Sequence, residues 1–72
     1  MKKQPHVYPV EIEKDGVLHA GTYTVQHGII RVSYDFIQNP TQVGSTPPEI
    51  LAEILLREIL DGKVEKEQRL ER

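Results

Sequence analysis

The sequence predicts a small α+β domain: a three-stranded antiparallel β-meander with one C-terminal helix packed on one face, a β-β-β-α order in two layers. Three observations predict it. Three segments alternate apolar and polar residues with period two, a two-residue turn signal separates each from the next, and an apolar stripe at helical spacing follows a Thr-Pro-Pro-Glu start.

The first strand spans about His6 to Lys14, with Tyr8, Val10 and Ile12 pointing one way and Glu11 and Glu13 the other. Asp15-Gly16 follows, and both residue types tolerate the positive φ that a type I′ hairpin turn demands. The second strand, Val17 to Gln26, is rich in Thr, Tyr and Val. His27-Gly28 makes the next turn, with Gly28 the stronger partner. The third strand, Ile29 to Phe36, alternates Ile30, Val32, Tyr34 and Phe36 against Arg31, Ser33 and Asp35.

The two turns test one another. A two-residue turn at Asp15-Gly16 sets Ile12 opposite His19, Val10 opposite Gly21 and Tyr8 opposite Tyr23. A two-residue turn at His27-Gly28 sets Val25 opposite Ile30, Tyr23 opposite Val32, Gly21 opposite Tyr34 and His19 opposite Phe36. Opposed residues share a face, so both turns gather Tyr8, Val10, Ile12, Val17, Tyr23, Val25, Ile30, Val32, Tyr34 and Phe36 on one side. A slip of one residue at either turn would scatter that set. The other face carries Glu11, Glu13, Leu18, Ala20, Thr22, Thr24, Ile29, Arg31, Ser33 and Asp35, the mainly polar composition of a solvated antiparallel sheet. Gly21 leaves a gap on the apolar face, to be filled by the helix backbone or by the Tyr34 ring.

Residues 37–46 read as a polar loop. Thr46-Pro47-Pro48-Glu49 then sets Thr46 as N-cap (with Ser45 the alternative), Pro47 at the first helical position and Glu49 as the closing member of a capping box. The helix runs from Glu49 to about Leu60. Ile50, Leu51, Ile54, Leu55 and Ile59 form its stripe, Leu56 and Leu60 widen it, and Glu53 and Arg57 are spaced for an i,i+4 ion pair. Asp61-Gly62 ends it, with Gly62 in the left-handed position. The domain is therefore 1–62. Residues 63–72 are mostly charged and too poor in apolar side chains to order themselves, so they read as a flexible tail.

Seventy-two residues make one domain, and a chain this short buries about 60% of its unfolded surface, a smaller share than larger domains bury. With no cysteine, disulfides, thiolate metal sites and thiol nucleophiles are excluded, and packing or self-association must supply stability. Met1-Lys2-Lys3 opens like a secretory signal, but Gln4-Pro5-His6 stands where its apolar run belongs, and no apolar run nears membrane-spanning length. The expectation is a soluble cytoplasmic protein. Nine Lys and Arg against eleven Asp and Glu give a formal charge of −2, contrary to the clustered cations of a nucleic-acid binder.

No catalytic or ligand motif rises above chance. His19 and His27 lie eight strand residues apart, on the order of 26 Å, so they cannot share a metal, and His19 reads as a histidine at the core's edge. Glu11 and Glu13 sit on an open face without the walls that acid–base catalysis needs. No serine or threonine has a nucleophile-elbow context. A nucleic-acid-binding sheet would need several cations on its open face, where Arg31 stands among Glu11, Glu13 and Asp35. The expected function is thus a non-enzymatic interaction or assembly module, without cofactor or metal, acting through a sheet edge or the helix on another protein or a second copy. Strand three supplies the expected edge, with Ile29, Arg31, Ser33 and Asp35, because Pro9 blunts strand one. The alternatives are an anion or small-ligand site at Gly44, Ser45 and Thr46, before the helix N-terminus, and weak nucleic-acid binding on the open face.

Overall fold

Residues 6–63 are described by a computed structural model of the chain. Their elements run β1 (Tyr8–Lys14), β2 (Val17–Gln26), β3 (Ile29–Tyr34), β4 (Ile37–Gln42) and α1 (Pro48–Leu60). The strands form a single antiparallel sheet in the order β1-β2-β3-β4, and α1 packs on one face. The architecture is the predicted α+β pair of layers with one strand more.

The two turns identified from sequence set the register as expected. Lys14 pairs with Val17, Ile12 with His19, Val10 with Gly21 and Tyr8 with Tyr23 across β1 and β2. Val25 pairs with Ile30 and Tyr23 with Val32 across β2 and β3. Asp15 and Gly16 have φ of 54° and 79°, and His27 and Gly28 have 55° and 77°, the paired positive values of type I′ turns. Val10, Ile12, Tyr23, Ile30 and Val32 consequently lie buried against Ala52, Leu55, Leu56 and Ile59 of the helix.

The expected loop at 37–46 is mainly β4. A third two-residue turn, Asp35-Phe36, has φ of 52° and 69° and ends β3 at Tyr34. Phe36 therefore leaves the core face assigned to it and stands 95% exposed at the hairpin tip. β4 pairs Tyr34 with Ile37, Val32 with Asn39 and Ile30 with Thr41, and the Val43 N–H donates to the Gly28 carbonyl (2.9 Å) just beyond. Ile29, Arg31 and Ser33 thus belong to an interior strand and Asp35 to a turn, so the free edge expected at these four residues is taken by β4.

Both true edges carry a proline. The pair closing a two-residue hairpin is hydrogen-bonded, and bonded and non-bonded pairs alternate from there. Pro9, opposite Thr22, and Pro40, opposite Arg31, both fall in non-bonded pairs. Each nitrogen faces outward. The ladder loses nothing; Pro9 removes an outward donor near the start of β1 and Pro40 one near the middle of β4.

Gly21 is a close-approach site. A Cβ there would lie 2.6 Å from the Ser33 carbonyl oxygen, and the Tyr34 side chain already fills the remaining space, at 3.5 and 3.6 Å. The Tyr34 hydroxyl reaches His19 Nδ1 at 2.9 Å, so His19 partners Tyr34 where the sequence suggested Phe36.

α1 begins at Pro48, with Pro47 as the N-cap residue and no side-chain cap bond, so the Thr46–Glu49 capping box does not form. Two successive prolines restrict the backbone before the helix and leave Pro48, with its preset φ, at N1. At the far end Gly62 (φ 73°) donates to the Ile59 carbonyl and Lys63 to the Glu58 carbonyl, the paired bonds of a Schellman stop. Ala52, Leu55, Leu56 and Ile59 are the helix's buried residues, whereas Ile50 and Ile54 of the expected stripe turn outward. The spacing reads as one wide stripe because the helix is apolar on both sides.

Three polar contacts fix the helix to the sheet. Asn39 Nδ2 donates to the Leu55 carbonyl (3.1 Å) and to Glu58 Oε1 (3.0 Å). Lys14 Nζ lies 2.8 Å from Asp61 Oδ1, the one ion pair among the described residues, so Glu53 and Arg57 do not close theirs. The expectation of a flexible tail from residue 64 onward lies outside the described residues.

Replacing Phe36 with glycine relieves the left-handed backbone without loss of core, so Phe36→Gly should raise stability in urea unfolding by about 0.5–1 kcal/mol. A fall would show that the ring packs. The hydrogen bond from Lys14, then its charge, holds the Asp61 carboxyl below its ordinary 3.8, while Asp61 raises Lys14 above 10.5 by the same bond and attraction. A depressed carboxylate stabilises the fold above its ordinary pKa and loses that contribution as pH falls through the folded value. Asp61→Asn should accordingly be less stable than the parent at neutral pH and equal to it in strong acid. A pH-independent difference would contradict the ion pair.

Candidate functional site

A concavity lies where β1 and β2 pass under the start of α1. The register places Tyr8 directly opposite Tyr23, and their rings stack with centroids 5.2 Å apart and planes inclined by 26°. His6, just before β1, extends the cluster against Tyr8 at 4.5 Å. Val25 continues the floor along β2, and Pro48 and Glu49 form the helical wall. Together they enclose a cleft of about 310 Å³. A shallower shelf of about 430 Å³ shares Tyr23 and Glu49 with it and runs along the β1 edge past Pro9, Glu11 and Glu53.

This flank is acidic. Residues 6–63 hold four Lys and Arg against eight Asp and Glu. Glu11, Glu49 and Glu53 border the shelf with no cation among its lining residues. Lys14 is committed to Asp61, and Arg31 lies on the open face within 3.4 Å of Gln38. Burial, followed by the negative field of Glu49 and then of Tyr8, pushes the Tyr23 hydroxyl above its ordinary 10.0. Tyr23 therefore stays a neutral phenol through the physiological range, and the exposed ring of the pair is that of Tyr8.

The sites expected from sequence fare differently. Gly44, Ser45 and Thr46 lie together between β4 and α1, but the start of the helix is poorly suited to an anion. Pro47 and Pro48 remove two N–H donors, and the Ile50 and Leu51 N–H groups already bond the Pro47 carbonyl (3.1 and 2.9 Å). Glu49 adds a negative charge in the first turn. On the open face Thr24, Gln26, His27, Ile29 and Arg31 border a hollow of about 260 Å³ in which Arg31 is the one Lys or Arg side chain. Among the described residues no three His, Asp or Glu side chains come together as a metal would need, and no helix is long and apolar enough to cross a membrane.

Sequence reasoning missed the cleft although it paired Tyr8 with Tyr23. The missing signal was the path of α1 over the sheet, which brings Pro48 and Glu49 to that corner and no local pattern encodes. No family model, curated protein or solved structure matches the chain significantly.

The pKa of Tyr23 gives a direct check on this geometry. Glu49→Gln should bring the Tyr23 titration, followed by ring chemical shifts, down toward the ordinary phenol value while leaving it above 10.0, because burial is the larger cause. No movement would place Glu49 away from the ring.

Proposed function

We propose that this domain is a non-enzymatic protein-interaction module that binds a basic segment of another protein in the cleft and shelf between β1 and α1. The observation that carries the reading is the stacked Tyr8–Tyr23 pair beside Glu49, at one end of an acidic flank. A Lys or Arg side chain over an aromatic face gains cation–π attraction, and a neighbouring carboxylate adds a charge-assisted hydrogen bond. Glu11 and Glu53 extend the favourable field along the shelf, so the segment would lie lengthwise beside β1. Pro9 disfavours pairing that segment to β1 as an extra strand, which leaves side-chain recognition as the main source of affinity.

A binding role suits the cleft better than catalysis. His6 and Glu49 both line it, yet no hydrogen bond joins them into an acid–base pair.

The test is an amide-shift titration of the full chain with a blocked peptide of alternating arginine and glycine, beside its glutamine counterpart. The arginine peptide should move residues 6–11, 23–25 and 48–53, weaken as salt is raised, and lose affinity several-fold in Tyr8→Ala and Glu49→Gln, both at exposed positions. Equal binding of the glutamine peptide, or shifts confined to other regions, would contradict the proposal. Inorganic phosphate in the same experiment should leave residues 42–50 unmoved.

A further inference from the structure

The solvent side of α1 presents a second surface, independent of the cleft. Ile50 and Ile54 lie one turn apart with 48% and 47% of their surface exposed, on the side of the helix opposite Ala52, Leu55, Leu56 and Ile59. Arg57 and Asp61 continue the same line at spacings of three and four residues, the seam pattern of a helix that packs against another. Glu53 flanks it. Among the described residues neither Glu53 nor Arg57 has an ion-pair partner within 4 Å, although their spacing permits one. Glu58, on the opposite flank, is held by Asn39. The stripe therefore combines an apolar centre with one unpaired acid and one unpaired base.

We propose that this stripe pairs with the same stripe of a second copy, the two α1 helices running antiparallel about a two-fold axis. A two-fold interface must be complementary to itself. Charge selects the antiparallel arrangement: a parallel pair would set Arg57 against Arg57 and Glu53 against Glu53. Antiparallel helices crossing near Ile54 bring the two Ile54 side chains together, each flanked by the partner's Ile50, and carry each Arg57 to within a turn of the partner's free Glu53. Thirteen residues span about 20 Å, a short contact at the small end of specific interfaces, so association is concentration-dependent and weak.

Sedimentation equilibrium of the full chain from micromolar to millimolar concentration tests this directly. Average mass should climb from 8.3 kDa toward twice that value. Ile54→Lys and Ile50→Lys, both at exposed positions and checked for folding by circular dichroism, should each hold the chain monomeric. Glu53→Arg and Arg57→Glu should each weaken the dimer several-fold, and the double reversal should recover most of the loss. Arginine-peptide binding in the cleft should persist in Ile54→Lys, which separates failure here from failure of the interaction-module proposal. A parent that stays monomeric at millimolar concentration, a dimer untouched by Ile54→Lys, or a double reversal no better than the single ones would overturn the proposal.

Discussion

Three consecutive two-residue turns, each with two residues at positive φ, govern everything else in this fold. Each turn fixes the pairing of the strands on either side of it, and side chains alternate faces with a period of two. The turns therefore decide together which side of the sheet is apolar. With Asp15-Gly16, His27-Gly28 and Asp35-Phe36 in place, Val10, Ile12, Tyr23, Ile30 and Val32 face α1, and Asn39 arrives beneath the helix where it can bond the Leu55 carbonyl and Glu58. A slipped register at any turn would bring polar neighbours into that core, which this small domain has little surplus to absorb.

The same register shapes what the surface can do. It puts Pro9 and Pro40 at outward-facing positions on the two edge strands, so each edge offers an added strand one backbone donor fewer. It also stacks Tyr8 on Tyr23 at the corner that α1 covers with Pro48 and Glu49. Along the helix the surface then carries two distinct features: an acidic, aromatic flank on the β1 side and an apolar stripe on the solvent side. Phe36 is a separate case. A bulky residue with φ of 69° and its ring in solvent departs from the preference of such turns for glycine, and no contact among the described residues compensates for it.

What was legible in the sequence follows from these physical causes. The first two turns announced themselves because Gly16 and Gly28 supply positive φ without strain, and the apolar alternation agreed with both. The third turn contains no glycine, and Pro40 interrupts the segment after it, so β4 read as loop and Phe36 as core. An edge strand tolerates that proline only when its nitrogen faces outward, a condition that becomes visible after the register of β4 is known. The capping box was a correct residue pattern in the wrong frame, since two prolines shifted the start of the helix by one position. The helix itself was plain, yet its apolar residues surround it too broadly to show which stripe faces the sheet. The corner cleft depends on where α1 crosses the strands, a long-range property of packing.

The central claim is the four-stranded register, and inter-strand Hα–Hα contacts measured by nuclear Overhauser effects test it most directly. Non-hydrogen-bonded pairs bring the Cα atoms of opposed residues closest. The account predicts contacts between Tyr23 and Val32, Val25 and Ile30, Ser33 and Gln38, and Arg31 and Pro40. Contacts from Arg31 to Asn39 or Thr41 in place of Pro40, or no inter-strand contacts from residues 37–42, would contradict it.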